Sequence, residues 1–272
     1  MSDELPPIVA VTPTHKMDKE EMKYLLNSIK SNNIKLDYIG LGKQFKFLSK
    51  IFWFAEYLET IEDDSTIVCF TDAYDAFYIT GLDTIRDKFL RLNKDILFST
   101  ERSYSHQLEK DKDFYDREGK GKDYKYLNTG AIIGYNRTLK DFFKELIKLL
   151  NTLWFDIYIG NETDRNLEGE FIDQTILSHY ITRTINKYSI GFDYDAQIFY
   201  TPVLDWDEWI DDEPDWKKAN PNFSFTKDGL YIHRTKSSPC IVHVPGKYWM
   251  VDGVKSPARL PMLKHLYRGI YD

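Results

Sequence analysis

The chain has 272 residues, a formal net charge of −7 and 15% aromatic residues. No basic block accompanies that charge, which argues against DNA, RNA or another polyanion as partner; a small anion held through a divalent cation stays open, because the cation supplies the positive charge. The two cysteines, Cys69 and Cys240, form no CxxC pair, which excludes a zinc ribbon and argues against a disulfide framework.

The first seven residues are acidic and carry no apolar h-region, so no signal peptide is expected. No apolar run has the length needed to cross a bilayer, so membrane insertion is not expected. The expectation is a soluble cytoplasmic chain, or one of the secretory pathway if it is trimmed from a longer protein. Its length suits one α/β domain over residues 1–272, with no repeat or Gly/Ser linker dividing it.

Ile8 to Val11 is a short β-branched run ended by Thr12-Pro13 and reads as a first buried strand. Asp18 to Glu21 has the spacing of a capping box, which predicts a helix from there to about Asn32. Leu36 to Leu41 reads as a second strand. Phe45 to Leu58 has helical spacing of apolar residues, Thr66 to Thr71 is a third strand, Thr84 to Leu92 a helix and Asp95 to Ser99 a fourth strand. Alternating strands and helices imply βαβ units and a parallel sheet, whose ligands bind at the carboxyl edge. Tyr104 to Lys125 is polar and charged and reads as a mobile surface loop. Ala131 to Tyr135 is a strand, Thr138 to Trp154 a long amphipathic helix, and Gly169 to Thr182 a further helix. Short strands with many Trp and Asp residues follow Tyr194.

The most informative stretch is Thr71-Asp72-Ala73-Tyr74-Asp75, which puts two carboxylates at the tip of an apolar strand. Neighbouring carboxylates repel each other and are costly to bury, and a divalent cation removes both penalties. Oxygen ligands suit Mg²⁺ or Mn²⁺. The competing reading is that both Asp residues cap the following turn. Near the C-terminus, Ile241-Val242-His243-Val244-Pro245-Gly246-Lys247 delivers a His, a Gly and a Lys from an apolar strand. The Gly allows close backbone approach to a phosphate and the Lys adds charge; taken alone, a His at a strand end is more often just a polar rim residue. Leu127-Asn128-Thr129-Gly130 offers an amide and a hydroxyl for sugar hydroxyls, or simply a loop entering a strand. Asp173-Gln174 opens a helix pattern, facing an acceptor or favouring the helix N-terminus.

In this order, the motifs together resemble the glycosyltransferase domain of procollagen lysyl hydroxylases and, more distantly, the collagen galactosyltransferases. The family's D-S-Y-D, L-N-S-G-G and L-D-x-x-x-x-I-F stretches are matched by Asp72 to Asp75, Leu127 to Ala131 and Phe192 to Phe199, so the likeness runs from about Ile8 to Lys247. The chain looks like a stand-alone version of that domain. The resemblance implies a GT-A fold, with a nucleotide-binding half over about residues 1–100 and a sugar- and acceptor-binding half over about 126–250. It implies Mn²⁺ held by Asp72, Asp75 and His243, and a UDP-sugar donor, UDP-glucose or UDP-galactose. Tyr74 would stack on the uracil, Thr12 would line the nucleoside pocket, Lys46 would lie near the donor, and Asn128 would grip the sugar. Gly246 and Lys247 would meet the pyrophosphate. Asp173 and Gln174 would serve the acceptor, a hydroxylysine or galactosyl-hydroxylysine of a collagen-like chain. Two departures bear on acceptor choice: a single Asp precedes Gln174, and the His243 to Lys247 end is shorter than the family's. Other readings of the same residues are a UDP-sugar hydrolase or nucleotidyltransferase, and a sugar-nucleotide-binding module without turnover.

Overall fold

The computed structural model describes residues 4–45, 48–105, 107–160, 173–202, 222–245, 249–251, 254–256 and 259–272. The first half alternates strands and helices: β1 (Ile8–Pro13), α1 (Met22–Ser31), β2 (Leu36–Ile39), α2 (Ser49–Glu59), β3 (Ile67–Thr71), β4 (Ala76–Tyr78), α3 (Leu82–Leu92) and β5 (Ile96–Glu101). There follow α4 (Lys112–Glu118), β6 (Tyr126–Tyr135), α5 (Asn136–Gly160), α6 (Asp173–Thr184), β7 (Ile190–Phe192), β8 (Phe199–Tyr200), β9 (Phe223–Thr226) and β10 (Gly229–Ile232). The last elements are β11 (Ile241–His243), β12 (Trp249–Val251), β13 (Val254–Ser256) and α7 (Arg259–Tyr271).

Six strands form the main sheet in the order β2-β1-β3-β6-β5-β7, all parallel except β6. Side chains alternate across a strand with period two, and here both sets are apolar. Val11, Val68, Phe70, Ile96, Phe98 and Ile132 face a layer made by α2, α5 and α6. Their neighbours Ala10, Ile67, Cys69, Leu97 and Ile133 face α1 and α3. This explains why the strands read as unbroken apolar runs: a sheet covered on both faces has no solvent side. Fully burying each large side chain there, such as Phe54 or Phe143, contributes roughly 1.5–3 kcal/mol. A smaller sheet, β4-β11-β8, packs with α7 around a second apolar cluster including Phe77, Tyr200, Val242 and Leu266.

Three expectations change. The first helix starts at Met22, and no side chain caps it at Glu21. The reason is tertiary: Thr14 and Lys16 are bound to the Tyr74 hydroxyl and Lys19 lies over the Tyr74 ring, so residues 14–19 belong to the site edge. The stretch 104–125 is not simply a loop: it holds a 3-10 turn at Glu109–Asp111 and α4, anchored by buried Phe114 and Tyr115. Finally, β6 begins at Tyr126, so Leu127 to Gly130 lie inside a strand and not in a loop entering one. The start expected near Gly169 for the helix observed as α6 falls outside the described residues. Among them, no helix is long and apolar enough to cross a membrane.

Candidate active site

β1, β3 and β5 end at one edge of the main sheet, and the antiparallel β6 begins there. This places the early residues of β6 beside the tip of β3: the Asp72 N–H donates to the Gly130 carbonyl at 2.7 Å. The pairing of β6 with β5 shifts register between Phe98 (opposite Ile132) and Ser99 (opposite Asn128). Such bulges re-aim side chains and recur beside active sites.

Asp72 and Asp75 flank the turn from β3 into β4. β11 pairs antiparallel with β4, setting His243 opposite Ala76, and the Val244 N–H donates to the Asp75 carbonyl at 2.7 Å. One ligand atom from each of Asp72, Asp75 and His243 falls within 4.8 Å of the others. His243 is 2% exposed. Its Nε2 lies 3.5 Å from the Asp75 carboxylate and 3.7 Å from that of Asp72, and makes no hydrogen bond among the described residues. Its Nδ1 sits 2.9 Å from Asn128 Oδ1. The ring lies directly against Gly130, where an added Cβ would fall 2.0 Å from the imidazole Cε1.

Behind the acidic pair stands Lys50, from the first turn of α2. Its ammonium lies 3.1 Å from Asp72 and 2.7 Å from Asp173, with 13% of its side chain exposed. Thr129 donates its hydroxyl to Asp173 at 2.8 Å and its N–H to Gln174 at 3.2 Å. Gln174 in turn donates to Glu101 at 3.1 Å and to the Ser105 carbonyl at 2.9 Å. Asp173 and Gln174 are therefore buried members of a connected polar network that reaches the acidic pair through Lys50.

The electrostatics follow from burial and neighbours. Burial raises the Asp72 carboxyl above its ordinary range, with Lys50 opposing and Asp75 reinforcing the rise. Burial also pulls His243 down, but the carboxylates of Asp75 and Asp72 outweigh it and the imidazole ends above its usual value. The same balance, with Asp173 and Asp72 overcoming burial, lifts Lys50. Glu101 is pushed up to about 7 by burial, against hydrogen bonds from Asn128 and Gln174. A concentration of perturbed groups at one sheet edge is a mark of a functional site.

Tyr74 stands at the rim. Its hydroxyl meets Thr14 Oγ1 at 2.8 Å and donates to the Lys16 carbonyl at 2.9 Å, and Lys19 lies 4.1 Å from the ring centre. Thr12 is different: it is fully buried and donates its hydroxyl to the Thr71 carbonyl at 2.7 Å, bracing β1 against β3. Asn128 is 2% exposed, with its amide engaged at both ends. Lys46, Gly246 and Lys247 lie outside the described residues. Sequence reasoning passed over Lys50 and Glu101. A signal existed for each: Lys50 falls on the stripe of Phe54 and Leu58 at i, i+4 and i+8, and Glu101 ends an apolar strand just as Asp72 follows one.

The family model of the PLOD GT domain matches residues 6–152, just over half of the chain. The chain belongs to the PLOD glycosyltransferase-domain family. That match contains Lys50, Asp72, Asp75, Glu101 and Asn128 and ends before Asp173 and His243. A procollagen-lysine,2-oxoglutarate 5-dioxygenase of Drosophila melanogaster is 31% identical over 119 residues, which is 40% of this chain and only 16% of that relative's length. Among solved structures, a glycosyltransferase involved in glycosylation of the major capsid of PBCV-1 aligns with a TM-score of 0.47 at 9% identity, over 97% of this chain and 100% of that one. The bifunctional glycosyltransferase WbbM aligns with a TM-score of 0.47 at 13% identity, over 100% of this chain and 50% of that one. The family is one of glycosyltransferases, and the mostly parallel Rossmann-like sheet with acidic residues at the tip of β3 is the arrangement expected of the GT-A type.

Proposed function

We propose that the chain transfers a hexose, glucose or galactose, from a UDP-sugar to an acceptor hydroxyl, with Mn²⁺ held by Asp72, Asp75 and His243. The observation that carries this reading is the unpartnered, buried Nε2 of His243 facing two carboxylates at the carboxyl edge of the sheet. One imidazole nitrogen and two carboxylate oxygens, all within 4.8 Å of one another, form a donor set suited to a cation. Two carboxylates alone suit Mg²⁺ or Mn²⁺, and the imidazole nitrogen favours a transition-row ion over Mg²⁺. When bound, such an ion neutralises the diphosphate and stabilises its departure.

The chain's own residues do the rest. Tyr74, pinned by its hydroxyl to the 14–19 loop, offers a flat ring for the uracil. Lys50 adds a fixed positive charge beside Asp72, a preorganised contribution to stabilising the leaving group. Gly246 and Lys247 follow His243 within four residues and are assigned to the pyrophosphate. Asp173 is already paired with Lys50 and Thr129, which suits orienting the acceptor hydroxyl better than abstracting its proton. Gln174 holds the network beneath it. The acceptor assigned from the family is a hydroxylysine or galactosyl-hydroxylysine of a collagen-like chain.

The test is UDP release and product analysis with UDP-glucose and UDP-galactose, with and without Mn²⁺ and acceptor peptide, for the wild type and Asp75→Ala. Mn²⁺-dependent sugar transfer that disappears in the variant is the expected result. Free sugar as the main product with acceptor present would point to a hydrolase. Activity indifferent to Mn²⁺, or kept by a folded variant, would overturn the cation site.

A further inference from the structure

Asn128 has a partner at each end of its amide, and the partners decide which end is which. On one side lies a Glu101 carboxylate oxygen at 3.2 Å, which also receives Gln174 Nε2 at 3.1 Å and Ser105 Oγ at 3.3 Å. An oxygen that already accepts from two other donors is an acceptor, so the Asn128 atom facing it is the NH₂ group. On the other side the Gly130 N–H, a donor, lies 3.0 Å away, so the atom facing it is the carbonyl oxygen. Both ends give the same orientation. The same Oδ1 lies 2.9 Å from His243 Nδ1. An acceptor there requires Nδ1 to carry a proton, and a neutral imidazole with its proton on Nδ1 has its lone pair on Nε2.

We infer that Asn128 is a positioning residue: held from behind by Glu101, it fixes His243 as the Nδ1–H tautomer and turns the Nε2 lone pair toward Asp72 and Asp75. This rests on the cation site proposed above and gives Asn128 a task other than gripping the sugar. A residue 2% exposed, with both amide ends occupied inside the protein, has no free face to offer a hexose. Hydrogen bonds of this kind from behind a ligating His fix its ring and raise its basicity, and their loss typically costs about 10–100-fold in metal affinity.

The experiment uses the metal-free protein with ¹⁵N-labelled histidine. Long-range ¹H–¹⁵N correlation at alkaline pH, where the ring is neutral, reads the tautomer directly, and the His243 signal is identified by its loss in His243→Gln. Mn²⁺ affinity is measured in parallel from the resonance of free Mn²⁺. The wild type is expected to show Nδ1–H. Asn128→Ala should populate Nε2–H and weaken Mn²⁺ binding by about 10–100-fold. The conservative variant Asn128→Asp keeps an acceptor facing Nδ1–H, so it should retain the Nδ1–H tautomer that Asn128→Ala loses. A wild type with Nε2–H would overturn the inference even if Asn128→Ala did not fold. So would a folded Asn128→Ala with unchanged tautomer and Mn²⁺ affinity. A wild type that shows Nδ1–H yet binds no Mn²⁺ would sink the cation reading and leave the assignment of Asn128 to His243 standing.

Discussion

Substituting Gly130 by Ala tests the packing that seats His243. The added Cβ would lie 2.0 Å from the ring Cε1 and 2.4 Å from both ring nitrogens. Ordinary carbon contacts are about 3.5–4.0 Å, so the ring must retreat by roughly 1.5 Å. The Nδ1 bond to Asn128, 2.9 Å long, has no such slack, and a retreat of that size breaks it. Overpacking of this kind costs about 1–3 kcal/mol, which for domains of about 150–250 residues is some 2–4 °C in Tm per kcal/mol. The decisive form is a double-mutant cycle by urea unfolding of the metal-free protein. In a His243→Ala background the space is vacated, so Gly130→Ala should cost almost nothing, and the coupling should equal most of its cost in the wild type. Mn²⁺ affinity of the single Gly130→Ala variant should fall with the displaced ligand. Equal costs in both backgrounds would refute the reasoning, as would a folded Gly130→Ala variant binding Mn²⁺ like the wild type.

Lys50→Met leaves Asp72 and Asp173 without their shared counter-charge, which should destabilise the metal-free protein by about 3–5 kcal/mol. Mn²⁺ should then raise its Tm more than it raises that of the wild type; a metal-free variant as stable as the wild type would contradict the role. Glu101 holds its proton more tightly folded than unfolded, with a value of about 7 against an ordinary 4.5. Its contribution is therefore full below its unfolded pKa and is lost as pH rises through the folded one, a change of order 3 kcal/mol. Glu101→Gln, which does not titrate, should flatten the stability curve across that window, and superimposable denaturation curves at each pH would refute the assignment. Asp193 accepts the N–H groups of Gln197, Ile198 and Phe199, each at 2.8 Å, and is 3% exposed. Asp193→Ala leaves these donors unpaired and should cost at least about 2 kcal/mol in chemical denaturation; a smaller loss would mean that water replaces the carboxylate.

Of the first hundred residues, β1, β2, β3, β5 and the three helices were legible, since β1, β3 and β5 are apolar runs and α1 and α3 show one apolar stripe each; the three-residue β4 was missed, being too short to show a period. The acidic pair was legible for the same reason, since two carboxylates at the tip of so apolar a strand demand an explanation. What the sequence hid is long-range. His243 meets Asp75 only through the register of β11 on β4, across more than 160 residues, and no local pattern encodes it. The capping box at Asp18 to Glu21 misled because Tyr74, far along the chain, holds the segment before it. Residues 104–125 misled because their charges mask Phe114 and Tyr115, whose burial ties α4 to the body of the protein. Lys50 escaped notice because a Lys on an apolar stripe is easily passed over, although a buried cation there implies buried carboxylates nearby.

The most direct test of the central claim is a crystal structure of the protein with Mn²⁺ and UDP, located by anomalous scattering at the manganese edge. The account predicts one peak bounded by Asp72, Asp75 and His243 Nε2, with diphosphate oxygens completing the shell. A peak elsewhere, or UDP bound with no peak between those three side chains, would contradict it.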